Sequence, residues 1–134
     1  MQLVGVLLET MDPATYIGDL IHVREVCEFS PWKIFNTSRR CSFLGVALLR
    51  NLRCRPHRDK SDSLHGWAVQ TVIGTFSGGH LVVPELEIKI QIEPGDILFF
   101  KSALLIHFVE EYVGKRSSMV FFTHDSVYSF STPS

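Results

Sequence analysis

Residues 67–83 read "WAVQTVIGTFSGGHLVV". Two runs rich in β-branched and aromatic residues, 67–76 and 81–83, flank a Ser-Gly-Gly, and Gly78 and Gly79 permit the backbone turn that residues with a Cβ resist. The same texture continues outward in both directions. Further runs occupy 43–52, 88–92, 97–100, 105–112 and 117–123, punctuated by "EPGD" at 93–96 and "VGK" at 113–115, both turn chemistry. Seven short runs of this kind predict a mainly β body, a sandwich or jelly roll whose two sheets share one core and leave a mouth at one end.

One helix is expected ahead of it. Asp12-Pro13 is a start signal, with Asp capping free amides and Pro at the first helical position. The helix runs to about Cys27, and Ser30-Pro31 ends it. Tyr16, Ile17, Leu20, Ile21 and Val23 fall mostly on one side, which describes a helix laid against a sheet. The reading divides the chain into an N-terminal helical support segment (1–42), a β core (43–125) and a polar C-terminal tail (126–134) that frays.

The chain has 134 residues, 46% of them hydrophobic and 20% charged, which matches one globular domain with a single core. A formal net charge of −1 gives no global attraction to a polyanion, so any such partner must meet a local patch. No apolar stretch approaches the roughly 18 residues that span a bilayer, and residues 1–5 lack the basic start of a secretory signal. The expectation is an intracellular protein with no membrane partner, taken as a monomer. Cys27, Cys41 and Cys54 form no CxxC pair and read as buried small hydrophobes.

The chemistry centres on "RCRPHRDKSD" at 53–62. On an extended segment His57 and Asp59 leave the same face and reach one metal ion. His107, an imidazole inside the apolar run 105–112, is the third ligand. Two imidazoles and a carboxylate form the facial set that holds non-haem Fe(II) and leaves positions for co-substrate and O2. Arg116 opens the next run across a turn at Gly114, with Ser118 on its face, and a guanidinium beside a hydroxyl is a receptor for a carboxylate. Together they imply a 2-oxo acid that chelates the metal at one end and meets Arg116 at the other, which describes 2-oxoglutarate.

Asn51, Arg53 and Arg55 share parity with His57 and are expected to face the mouth, with Arg53 best placed for the near end of 2-oxoglutarate. His65 and Trp67 can stack on a base, and His80 can touch substrate. For Trp67 the competing reading is core packing. Arg50, Arg53, Arg55, Arg58 and Lys60 form a positive rim for phosphate, of which Arg58 points away from the pocket.

"PHRD" at 56–59, "GWAVQTVIGTFSGGHLVVPEL" at 66–86, "PGDILFFKSALLIHFVEEYVGKR" at 94–116 and "SSMVFFTH" at 117–124 resemble the TET/JBP-type dioxygenases, in particular their fungal, transposon-associated branch. The resemblance covers 53–124. It implies a double-stranded β-helix of the cupin-like kind, Fe(II) at His57, Asp59 and His107, 2-oxoglutarate at Arg116 and Ser118, and oxidation of 5-methylcytosine in DNA, hence a nuclear location. Base oxidation requires the nucleotide to leave the stack. Two alternatives remain: the same chemistry on a protein or small molecule, and a non-catalytic β-helix binding module.

Overall fold

A computed structural model describes residues 2–29 and 42–131. Helices α1 (Gln2–Met11) and α2 (Pro13–Phe29) precede seven strands: β1 (Gly45–Arg50), β2 (Ala68–Gly78), β3 (Leu81–Val83), β4 (Ile88–Ile90), β5 (Ile97–Phe100), β6 (Phe108–Val109) and β7 (Tyr112–Phe122). Helix α3 (Asp125–Ser131) follows. The strands form a four-stranded antiparallel sheet in the order β1-β7-β2-β5 and a three-stranded sheet in the order β4-β3-β6. Among the described residues no helix is long and apolar enough to cross a membrane.

The two-residue period of the strands explains the layering. Odd-numbered Val69, Ile97, Phe99, Met119 and Phe121 pack with Val4, Leu8 and Tyr16 of the helices and with Phe43. Even-numbered Ala68, Val72, Leu98, Phe100 and Val120 turn to the other side, where Leu81, Ile90, Ile92 and Val109 join them. The large sheet therefore carries helices on one face and meets the small sheet with the other. That inner space holds the site.

Asp12 earns its place between α1 and α2. Its carboxylate accepts from the Thr15 amide (3.2 Å) and the Thr15 hydroxyl (2.8 Å), and also from Trp67 Nε1 (3.0 Å). These bonds, that from Trp67 foremost, hold the Asp12 carboxyl below its ordinary value. The cap thus fastens the start of α2 to the beginning of β2. Asp12→Ala is expected to destabilise the fold by about 1–2 kcal/mol, read as a lower denaturant midpoint at unchanged slope. The wild-type contribution is present above the unfolded carboxyl value and disappears as pH falls through the lower folded value, so the difference between the two proteins closes in acid.

Several expectations need correction. Helix α1 lay in a segment read only as support; its Val4 and Leu8, one turn apart, are buried while Leu3, Leu7 and Met11 are exposed. Ile17 and Ile21 are exposed too, and α2 faces the core through Tyr16, Leu20 and Val23. Residues 125–131 form α3, packed on α2, where a frayed tail was expected. Ser30-Pro31 and Cys41 lie outside the described residues. The run 105–112 splits: Leu104 and Leu105 amides both donate to the Lys101 carbonyl (3.0 Å each), which coils residues 101–106 into a turn, leaves Phe108–Val109 as a short strand and gives Tyr112 to β7.

Gly114 is not a turn. It lies inside β7 opposite Phe76, at φ 110°, and Gly74 stands in β2 opposite Arg116 at φ 127°. A Cβ on Gly74 would collide with the Lys115 carbonyl oxygen, and one on Gly114 with that of Thr75. The pair keeps the longest ladder of the sheet in unbroken register through two backbone conformations that L side chains avoid.

Candidate active site

His57 and His107 are brought together by their backbones. Each donates its amide to the other's carbonyl, at 3.1 and 2.9 Å, as an isolated antiparallel bridge. Their rings lie 4.6 Å apart, and the edge of Phe100 packs on His107 at 5.0 Å. Asp59 is set two residues on by its amide donating to the Ser102 carbonyl (3.1 Å). Its carboxylate oxygens stand 3.3 Å from His57 Nε2 and 3.9 Å from His107 Nε2. The three donor atoms lie within 4.8 Å of one another, a spacing one ion can bridge.

The outward nitrogens show what the inward ones are free to do. His57 Nδ1 lies 2.8 Å from the Arg55 carbonyl and His107 Nδ1 2.9 Å from the Leu105 carbonyl. A carbonyl oxygen only accepts, so each Nδ1 carries a proton, and Nε2 is the nitrogen that each ring in its neutral form offers inward to a metal. Backbone carbonyls that fix tautomer and ring angle are the usual outer partners of metal-binding imidazoles. The donor set fits a divalent first-row ion.

Arg116 reaches the same cavity from β7. It is 3% exposed, and its Nε and Nη2 have no partner among the described residues. The Phe76 and Tyr112 rings, in edge contact with each other at 6.4 Å, both lie beside the guanidinium, at 5.5 and 5.8 Å, and burial pulls it below the ordinary arginine value. Asn51, at φ 50°, clamps the backbone beneath it: its amide donates to the Arg116 carbonyl (2.8 Å) and its Oδ1 accepts the Arg116 amide (3.0 Å). A Cβ on Gly79 would crowd Arg116 Nε and Cδ. A buried cation with unused donors is costly unless an anion completes it.

The cavity, about 310 Å³, is bounded by His57, Asp59 and His107, by Arg116 and Ser118, and by apolar Leu49, Leu81, Phe100 and Val109 from both sheets. Phe122, His124 and Asp62 close another part of its wall. His124 Nδ1 faces Asp62 Oδ1 at 3.0 Å and the Ser61 carbonyl at 3.2 Å, and its ring lies 4.8 Å from that of Phe122. Burial, then the charge of Asp59, raises the Asp62 carboxyl above its ordinary value, against the pull of His124. Phe122 was within reach of sequence reasoning, since it shares the even parity of Arg116 and Ser118, and His124 lies two residues beyond it.

Other expected residues stand elsewhere. Leu52 and Cys54 line the cavity in place of Arg53 and Arg55, because the chain bends at Pro56 and the alternation slips before His57. Cys54 is consequently half-exposed there, not a core residue, and is a free thiol. Arg53 turns outward to Glu111 (2.6 Å), Arg55 is exposed, and Asn51 buttresses Arg116 without lining the cavity. Trp67 belongs to the helix side, bonded to Asp12 and covered by Lys101 Nζ at 4.2 Å. His65 is exposed and offers its carbonyl to Lys101 (2.7 Å). His80 pairs with Glu110 (3.1 Å) outside the cavity wall.

The Tet_JBP family, the oxygenase domain of the 2OGFeDO superfamily, matches residues 1–125. The chain belongs to this family. The match takes in the N-terminal segment as well as the motifs of the β body. The TET/JBP chain is 33% identical over 103 residues to the bifunctional helicase and thymine dioxygenase JBP2 of Trypanosoma cruzi (strain CL Brener), covering 73% of this chain and 9% of JBP2. It is similar to the solved structure of NgTET1 in complex with 5mC DNA, with TM-score 0.59 and 25% identity over 66% of this chain and 37% of that one. The chain thus spans about a tenth of the length of JBP2. The two facing sheets of this TET/JBP domain are a double-stranded β-helix, and its superfamily is defined by Fe(II) and 2-oxoglutarate.

Proposed function

We propose that the chain is an Fe(II)- and 2-oxoglutarate-dependent dioxygenase that oxidises the methyl group of a DNA base, 5-methylcytosine foremost, with succinate and CO2 as co-products. The observation that carries this is the sharing of one cavity by His57, Asp59 and His107, the unpartnered Arg116, and the Phe122 and His124 wall. The metal, when bound, supplies O2 activation coupled to decarboxylation of the oxo acid. Everything else is positioning by this chain.

His57 and His107 offer Nε2 and Asp59 a carboxylate to Fe(II). Arg116 takes the distal carboxylate of 2-oxoglutarate, aided by the Ser118 hydroxyl. An extruded base stacks on Phe122. In its neutral form, with the Nδ1 proton directed to Asp62 and Ser61, His124 offers Nε2 as an acceptor for an exocyclic amine, which 5-methylcytosine has and thymine lacks. The exposed Arg55 and Lys60 remain for phosphate. Action on DNA implies a nuclear site of work, and the motif spelling at 56–59 and 94–116 supports the fungal, transposon-associated branch.

The test is reconstitution with Fe(II), 2-oxoglutarate, O2 and methylated DNA. Succinate and an oxidised base are expected together, and the absence of both overturns the proposal. Arg116→Met is expected to weaken 2-oxoglutarate binding roughly 100-fold or more, the loss of two charge-assisted bonds, measured by calorimetry. One observation favours a second reading, the same chemistry on a protein or small molecule: Arg53 and Arg58 are already neutralised by Glu111 and Glu85. Succinate formed with such a substrate and none with DNA selects it. A non-catalytic module would take up neither metal nor 2-oxoglutarate.

A further inference from the structure

Arg58 sits between two metal-site residues yet points away from them, and its bonds are specific. Its Nε donates to the Leu104 carbonyl (2.8 Å) and its Nη2 pairs with Glu85 Oε1. The other Glu85 oxygen accepts the Ile106 amide (2.8 Å). Glu85 is itself fixed, lying in the 3₁₀ turn Pro84–Leu86 that Pro84 opens and that a left-handed Glu87 closes through its amide to the Pro84 carbonyl (3.0 Å).

Three consecutive residues therefore grip three points of one loop. His57 binds His107, Arg58 binds Leu104, and Asp59 binds Ser102. Two of these links are backbone to backbone and survive any substitution except proline. The middle one depends on side chains, and Glu85 extends it to the connection between β3 and β4. The span 102–107 has no strand pairing before His107, so its path is set by these bonds together with the turn closed on the Lys101 carbonyl.

We propose that Arg58 and Glu85 are positioning residues, a strut that sets the distance of His107 from His57 and Asp59 before metal arrives. The inference rests on the reading of the triad as a metal site. Both side chains are about two-fifths exposed, and ion pairs so placed contribute little to stability. The strut acts on geometry, because a ligand set preorganised by its outer partners binds metal more tightly than one the metal must assemble.

The test is anaerobic titration of the metal-free protein with Co(II), followed by visible absorption, beside thermal unfolding without metal. Arg58→Met and Glu85→Ala are each expected to weaken Co(II) binding about tenfold while the melting temperature barely moves. The double variant should be no worse than either single one, since both break the same strut. Arg58→Lys keeps the charge but loses the fork, and should recover only part of the affinity. Glu85→Gln keeps an acceptor for Ile106 in a side chain of the same shape and should fall between. Wild-type affinity in all these variants overturns the inference, as do additive losses in the double variant or losses that track a falling melting temperature. If the wild type takes up no Co(II), the metal reading itself fails and the strut with it.

Discussion

Asp59→Ala is expected to abolish turnover and to weaken divalent metal binding by more than about 100-fold, beyond what loss of an outer partner costs. Asp59 brings the one negative charge of the triad, and its two oxygens already face both imidazoles. Its structural contribution is a backbone one, the amide bond to Ser102, which alanine retains. Removing the carboxylate also relieves Asp62, whose carboxyl is raised in part by the charge of Asp59. The metal-free variant should thus melt no lower than wild type while succinate formation disappears. Retention of more than about 1% of turnover would exclude Asp59 as a ligand.

Gly74→Ala should have the largest effect on the fold. Alanine there meets two penalties at once: a backbone at φ 127° that L residues rarely adopt, and a methyl driven into the Lys115 carbonyl. Strain of the first kind costs about 1–3 kcal/mol, and overpacking that forces backbone to move costs a similar amount. A combined loss of about 3–5 kcal/mol is a large share of a small domain's stability. Chemical denaturation measures it directly, and a loss below about 1 kcal/mol would show that the ladder relaxes freely. Because Gly74 pairs with Arg116, relaxation should also weaken 2-oxoglutarate binding.

How legible this was depends on what kind of signal each part left. Short apolar runs bounded by turn residues, such as β3 and β5, were readable to the residue, and the two-residue period within β7 paired Arg116 with Ser118. His57, Asp59 and His107 stood out as polar groups of metal-binding type in a sparse pattern. The failures have local physical causes. Periodicity extrapolated through 51–57 placed Arg53 and Arg55 in the pocket, but a bend at Pro56 shifts the phase by one. Gly114 looked like a turn because glycine tolerates positive φ, and here it uses that tolerance within a strand. For Trp67 the packing reading, and not base stacking, is the one the structure bears out: the ring lies against the helix-side core, where Asp12 supplies the partner that its N–H needs. Helix α1 is short, and its apolar arc is wider than the face it buries, with Leu3, Leu7 and Met11 exposed beside Val4 and Leu8, which blurs the stripe that marks a surface helix.

The position of β7 bears on how such a chain is born. The last strand of the sequence occupies an inner place in the large sheet, hydrogen-bonded to β1 on one side and β2 on the other. Until residues 112–122 emerge from the ribosome, β1 and β2 have no common neighbour, and the floor that carries Arg116, Ser118 and Phe122 does not exist. Contacts of such long sequence separation close late and slowly, and the waiting edges are sticky. A nascent chain halted short of β7 therefore leaves edges of β1 and β2 open, and the face that carries the cavity is complete only once β7 has paired between them.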